Sequence, residues 1–309
     1  MTSPKVSIVV PIYNEESCLP ELIRRLAVIR EQSIGNLDFE AILVDDGSTD
    51  SSREMLLSFA RDFDWITSRL LTRNFGHQIA VTAGMDIAAA DFVAIIDGDL
   101  QDPPELIPEM IQQLVRNNDQ IVYGQRISRE GEGVFKLSTA RLFYGLIRRS
   151  SRLDIPLDTG DFRVMTRHAR DTLCNMREHN RFLRGMAPWT GLKSSSFSYS
   201  RDMRFAGTTK YTMGKMFNFA FNAIVSFSTT PIRAMQGFGV LVAVMGLLGV
   251  GISGATKLVS DYPTGIAFLA SLNALTMGVV VASVGVVGGY VHRIQDEVRG
   301  RPLYLVEES

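Results

Sequence analysis

Two stretches late in the chain, residues 234–256 and 262–291, contain no charged side chain, and no uncharged run in the first two-thirds approaches their length. A helix needs about 20 mostly apolar residues to cross the hydrocarbon core of a bilayer, so each stretch can hold one spanning helix. Only "KLVSDYP" separates them, which suits a tight helical hairpin. Arg233 precedes the first, and His292, Arg293, Arg299 and Arg301 follow the second, so the positive-inside tendency puts both ends in the cytosol. Gly285 and Gly289 form a G-x-x-x-G spacing that permits close helix contact. A pair of buried core helices is the competing reading, disfavoured by length.

The preceding residues have a different character. "MTSPKVSIVVPIYNEE" is expected to be a strand interrupted by Pro11, not an export signal, which keeps this part in the cytosol. Cys18 and Cys174 lack metal-ligand spacing and read as free thiols in a reducing compartment. Lys and Arg number 32 against 33 Asp and Glu, a net charge of −1, so composition does not favour nucleic acid as a partner.

Strands and helices then alternate. "KVSIVVPIY", "FEAILVDDGS", "TSRLLTRN", "DFVAIID" and "QIVYGQR" read as strands. Between them, "CLPELIRRLAVIREQ", a stretch from about 50 to 63, "HQIAVTAGMDIAAA" and "ELIPEMIQQLVRN" read as helices. Continuous apolar strands alternating with helices indicate a mainly parallel α/β sheet. Ligands of such sheets bind beyond the carboxyl ends of the strands. The polar ends Tyr13-Asn14-Glu15, Asp45-Asp46, Arg73-Asn74 and Asp97–Asp99 are therefore expected to line one crevice. Near 134–150 and again at 213–232, apolar stripes face Lys and Arg, as in helices that lie on a membrane surface or pack against a domain.

The most acidic strand end is "AIIDGDLQDPPE". Crowded carboxylates repel one another unless something positive lies between them. An EF-hand loop is excluded, because its sixth position needs Gly and here, counting from Asp97, is Asp102. A D-x-D at a strand end, beside Asp45-Asp46, fits a carboxylate holding Mg²⁺ or Mn²⁺ on a diphosphate. No G-x-G-x-x-G follows the first strand, which makes a dinucleotide dehydrogenase the weakest alternative.

In this order, "VSIVVPIYNEE", "LVDDGSTD", "RNFGH", "DGDLQDPPE", "TGDFRVM" and "RFAGTTKY" resemble the GT-A-fold, family 2 inverting glycosyltransferases. Within them the chain is most similar to the polyprenyl-phosphate glycosyltransferases, and the two apolar spans match the membrane-anchored bactoprenol branch. The resemblance implies a GT-A catalytic domain at 1–212, an amphipathic juxtamembrane helix at 213–232, and spanning helices at about 234–257 and 266–291 within 233–292. A cytosolic tail, 293–309, would follow. It implies a multi-pass protein of the bacterial inner membrane that moves one sugar from a nucleotide diphosphate sugar to undecaprenyl or another polyprenyl phosphate.

Carried over residue by residue, Pro11, Tyr13, Glu15 and the pair Asp45 and Asp46 resemble nucleotide contacts, with Asn74 and Gly76 in the "RNFG" segment joining them. Asp97 would face the ribose, and Asp99 would ligate Mg²⁺ or Mn²⁺ with Gln101. Asp161 occupies the place of the family's proposed catalytic carboxylate, acting with Asp99. Arg126, Arg129, Lys136, Arg204 and Lys210 would surround the acceptor phosphate. The family usually carries Lys after "RNFG"; this chain has His77. Processive synthases carry Q-x-x-R-W, which "RFLRGMAPWTG" lacks, so one sugar per turnover is expected. Another lipid or a polysaccharide as acceptor, a non-catalytic nucleotide-sugar-binding scaffold, the identity of the sugar, and a homo-oligomeric assembly all stay open.

Overall fold

The computed structural model describes residues 3–33, 35–127, 159–179, 181–200 and 264–307, with scattered positions between 235 and 255. They fall into two compact units, one built on a sheet and taking in the residues after 301, the other built of the apolar helices.

In the sheet unit, β1 (Lys5–Ile12), α1 (Leu19–Gln32), β2 (Asp38–Asp45), α2 (Ser52–Asp62), β3 (Ile66–Leu70), α3 (His77–Ile87) and β4 (Phe92–Ile95) follow in order. After a 3₁₀ turn, Pro104–Leu106, come α4 (Ile107–Asn117) and β5 (Ile121–Arg126). Beyond residue 158 lie β6 (Thr159–Thr166), α5 (Arg167–Asn175), α6 (Leu183–Trp189) and β7 (Ser194–Tyr199). The chemistry of each boundary is local. Proline in the first turn opens α1 and α4, where its missing N–H leaves no bond unmade. Thr166 caps α5 by accepting the Ala169 N–H, and Asn118 closes α4 in the left-handed region at φ 51°.

The described strands form one sheet in the order β3-β2-β1-β4-β6-β5-β7. β1 pairs in parallel with β2 and β4, and β2 with β3, as the continuous apolar runs predict. β6 enters antiparallel between β4 and β5, a strand that the five-strand sequence reading did not contain. Val6, Ile8, Val10 and Ile12 of β1 pack with Leu22 and Leu26 of α1 and Met110 and Leu114 of α4. Residues two apart share a strand face, so Val9 points to the opposite layer, where Gly84 of α3 packs close against it and Val44. Full burial of each such aliphatic side chain contributes about 1.5–3 kcal/mol.

Register positions the crevice. Ile12 pairs with Asp45 and Val9 with Ile95, so β1, β2 and β4 finish at one edge. Because Ile95 pairs with Arg163 in the antiparallel sense, continuing that register sets Asp161 opposite Asp97. A parallel β6 would have delivered Asp161 to the other end of the sheet.

In the helical unit, a helix spans Thr264–Arg299. Its stretch Leu275–Arg299 is the one helix among the described residues long and apolar enough to cross a membrane. A shorter apolar helix, Gly237–Gly246, lies within the first uncharged span. Residues 257–263, which would join the expected hairpin, lie outside the described residues, as do both amphipathic segments, 134–150 and 213–232. The long helix runs past 291 through the charged turn beyond it, where Asp296 lies 3.6 Å from His292 and 4.0 Å from Arg299.

Candidate active site

The turns after β1 and β2 are knitted together. Asn14, at φ 55°, donates its N–H to Ser48 Oγ and accepts the Thr49 N–H on Oδ1 at 2.7 Å. Glu15 N–H donates to Ser52 Oγ at 2.9 Å. Pro11 is buried in β1, whereas Tyr13 is exposed. The two aspartates ending β2 diverge. Both oxygens of Asp46 accept from the loop into α3, Oδ1 from Phe75 N–H at 2.7 Å and Oδ2 from Gly76 N–H at 3.0 Å. Asp45 accepts the Ser48 N–H on Oδ1, while its Oδ2 is buried with no hydrogen-bond partner. Gly47 lets the two loops meet: at φ +71°, any Cβ would lie 2.5 Å from the backbone of Arg73 and Asn74. Asn74 itself is exposed.

The carboxylates of "AIIDGDLQDPPE" have separate partners. Asp97 Oδ1 is buried without a hydrogen bond, 3.5 Å from His77 Nε2. Asp99 Oδ1 accepts the Gln101 N–H at 3.2 Å. Asp102 accepts the Tyr199 hydroxyl at 2.5 Å and lies 3.8 Å from Arg126. Glu105 pairs with Arg25 of α1, with Nε at 2.6 Å, and belongs to the packing of the 3₁₀ turn.

At the centre stands Asp161, whose side chain is 5% exposed. Arg184 of α6 donates to it twice, Nε to Oδ1 at 3.0 Å and Nη2 to Oδ2 at 2.9 Å. Arg163 Nη2 reaches Oδ1 at 3.3 Å, Gln78 Nε2 donates to Oδ2 at 3.2 Å, and His77 Nε2 is 3.1 Å from Oδ2. Burial works to raise the Asp161 carboxyl, but the Arg184 charge and the His77 hydrogen bond hold it well below the usual carboxylate range. Burial also opposes charge on His77, yet the bond to Asp161 and the charges of Asp97 and Asp161 raise it to about 9. Asp97 goes the other way. Burial raises it to about 6; His77 opposes this, and the charges of Asp161, Asp102 and Asp99 add to it.

Arg163 and Gln78 tie the cluster to α6. Arg163, 1% exposed, donates to the carbonyls of Asp161 and Leu183 at 3.1 and 3.3 Å, and its guanidinium lies over the Tyr123 ring. Gln78 Oε1 accepts the Leu183 N–H at 3.0 Å, satisfying a donor at the start of α6.

The structure thus brings Asp97, Asp161 and His77 together, with Asp45, Asp46, Asn74, Gly76 and Asp99 on neighbouring turns. Arg126 lies against Gly160, where a Cβ would sit 2.6 Å from its guanidinium. Arg129, Lys136, Arg204 and Lys210 lie outside the described residues. Sequence reasoning missed Gln78, Arg163, Arg184 and Tyr199. Arg163 carried a signal, since it alternates with Asp161 on one strand face and so shares its surroundings.

His77, Asp97 and Asp161 offer three potential metal ligands whose donor atoms lie within 4.8 Å of one another. Four side chains already direct N–H groups at Asp161, which makes it a poor ligand for a hard divalent cation.

Residues 7–173 match the family described as Glycosyl transferase family 2. The uncharacterized glycosyltransferase YkcC of Bacillus subtilis is 42% identical over 98% of this chain and 93% of its own. The SfII prophage-derived bactoprenol glucosyl transferase of Shigella flexneri is 34% identical over 99% of this chain and 98% of its own. Glucosyl-3-phosphoglycerate synthase from Mycobacterium tuberculosis shares the fold, with a TM-score of 0.50 and 18% identity over 72% of this chain and 80% of that one.

Proposed function

The chain belongs to glycosyl transferase family 2, and on that footing we propose that it transfers one hexose from a nucleotide diphosphate sugar to undecaprenyl or another polyprenyl phosphate. The donor is a UDP-hexose such as UDP-glucose, and the anomeric carbon inverts. The observation that carries the acceptor is the near-full-length likeness to a protein named for glucosyl transfer to bactoprenol. The catalytic unit, residues 1–212, works on the cytosolic face of a bacterial inner membrane, held there by two spans within 233–292.

In this reading Pro11, Tyr13, Glu15, Asn74 and Gly76 form the nucleotide pocket. Asp45 meets the base, because its unpartnered buried Oδ2 is an acceptor awaiting an N–H. Asp46, saturated by loop amides, shapes the pocket. Asp97 faces the ribose and sugar, and Asp99 with Gln101 would hold Mg²⁺ or Mn²⁺. Bound there, the cation offsets negative charge growing on the leaving diphosphate. The acceptor needs no base, since a phosphate monoester has its second pKa near about 6 and is largely dianionic at neutral pH. An acceptor oxygen attacks the anomeric carbon while the bond to the nucleotide diphosphate breaks and its electron pair leaves with that group. Asp161, kept ionised, orients Arg184 and His77 as cations lining the crevice. Arg126, with Arg129, Lys136, Arg204 and Lys210, receives the acceptor phosphate.

The test is transfer from a panel of nucleotide sugars by the full chain in nanodiscs containing undecaprenyl phosphate. A single UDP-hexose should yield one lipid-phosphate-linked sugar per turnover. Glycosylated diacylglycerol, a growing polymer, or nucleotide binding with no transfer at all would overturn the proposal.

A further inference from the structure

The segment that follows the long apolar helix returns to the edge of the sheet. Val306 forms an antiparallel bridge with Leu71, just past β3. Thr72 N–H donates to the Leu305 carbonyl and Glu307 N–H to the Leu70 carbonyl, both at 3.0 Å. Arg53 of α2 pairs with Glu307. Tyr304 donates its hydroxyl to Asp86 Oδ2 at 2.7 Å, an oxygen that Arg177 also reaches at 2.8 Å.

These contacts bracket one element. Thr72 opens the loop into α3, and Asp86 lies in the last turn of that helix. The far end of the loop is tied to Asp46 through Phe75 and Gly76, and the next residues are His77 and Gln78. Each of these two side chains reaches Asp161. The path from residues 302–307 to the centre of the crevice therefore runs through bonded neighbours at both ends of α3. β3 is one of the two edge strands of the sheet, and the returning segment satisfies backbone groups at its last residue, Leu70, and just beyond it at Thr72.

We propose that residues 302–307 are a positioning strand for the transfer reaction, gripping α3 from both ends so that His77 and Gln78 meet Asp161. The inference rests on the crevice being the active site. Tyr304 and the backbone of Leu305 touch no substrate and act through α3. A misplacement of about 1 Å at a reacting centre can cost as much as 10²-fold in rate, so a few such bonds are enough to matter.

The experiment compares the full chain, a chain lacking 302–309, and Tyr304→Phe, all in nanodiscs with undecaprenyl phosphate. Four quantities are read: kcat, donor KM, hydrogen exchange over residues 70–80, and recovery on adding the peptide PLYLVEES. The deletion should lower kcat on the order of tenfold with little change in donor KM. It should speed exchange over 70–80, and the peptide should reverse both effects. Tyr304→Phe, which keeps the strand pairing, should show a smaller loss of about threefold. Unchanged kcat in the deletion would overturn the proposal. So would a kcat loss with exchange over 70–80 unaltered, a loss the peptide does not repair, or a change of oligomeric size alone. If the unaltered chain transfers no sugar, the proposed function fails, while the exchange data still report whether the strand orders α3.

Discussion

Arg184 clasps Asp161 with two adjacent nitrogens, Nε 3.0 Å from one carboxylate oxygen and Nη2 2.9 Å from the other. A fork of this kind fixes the orientation of both groups, which a single point charge cannot do. Arg184→Lys keeps the charge and loses the fork. It should lower kcat about tenfold or more in steady-state transfer assays, with donor affinity nearly unchanged. Full kcat in that variant would show that orientation here is irrelevant. Asp161→Asn has a further consequence, because it leaves Arg163, 1% exposed, as a buried cation without its counter-charge. Losing one partner of a buried pair costs on the order of 3 kcal/mol, so the thermal midpoint should fall together with kcat.

Neighbouring aspartates should fail differently. Asp45→Asn places an amide where a buried acceptor oxygen stands, and should weaken nucleotide binding in calorimetry about tenfold or more while leaving the unfolding midpoint nearly unchanged. Asp46→Ala removes the acceptor for Phe75 and Gly76 N–H groups and should lower stability by about 1–3 kcal/mol, with faster hydrogen exchange in the loop. Identical phenotypes would mean that both residues serve the loop.

His77 is 40% exposed yet raised to about 9, so it carries a proton through the neutral range. A folded-state value above the unfolded one stabilises fully below the unfolded value, and that stabilisation is lost as pH rises through about 9. NMR titration of the imidazole should give a midpoint near that value. In Asp161→Asn the midpoint should move down toward the ordinary histidine range, because one of the two charges is gone and an amide oxygen accepts only a neutral hydrogen bond. A midpoint near neutrality in the unaltered protein would remove His77 as a cation of the site.

The parallel half of the sheet was legible in the sequence because β1, β2 and β4 are mainly apolar runs with polar ends that parallel register aligns, while β3, ITSRL, was marked by its place between two helical stretches. β6 and β7 were not. β6 carries Asp161 and Arg163 among its buried residues, and the run "SSSFSY" of β7 has no apolar continuity. The D-x-D pointed to the crevice, but the sorting of its acids did not follow from spacing. It depends on which element brings a partner: α1 carries Arg25 to Glu105, while β5 and β7 carry Arg126 and the Tyr199 hydroxyl to Asp102. Arg184 was hidden for a similar reason, since an arginine at the head of a short helix looks like a solvated charge until β6 presents a carboxylate to it. The docking of residues 302–307 left no local signal, because edge pairing is read by backbone groups that every sequence possesses.

The acceptor side can be tested both by removing the cation assigned to it and by displacing it. Arg126 is held by Asp102 at 3.8 Å and by the Tyr199 hydroxyl at 3.5 Å, and its guanidinium lies over Gly160. Arg126→Ala should raise KM for undecaprenyl phosphate on the order of tenfold or more, since the phosphate loses a charge-assisted partner. Binding of the nucleotide sugar in the absence of lipid should barely change. Gly160→Ala makes a subtler demand. Its new Cβ would stand 2.6 Å from the guanidinium, so the flexible end of Arg126 must shift while its charge remains. If the position of that charge receives the acceptor phosphate, Gly160→Ala should reproduce a smaller part of the KM increase, about threefold, and again leave donor binding alone. Should Gly160→Ala weaken donor and acceptor equally, its effect would be transmitted through the adjacent Asp161, and Arg126 would be a strut between Asp102 and Tyr199 with no acceptor to hold.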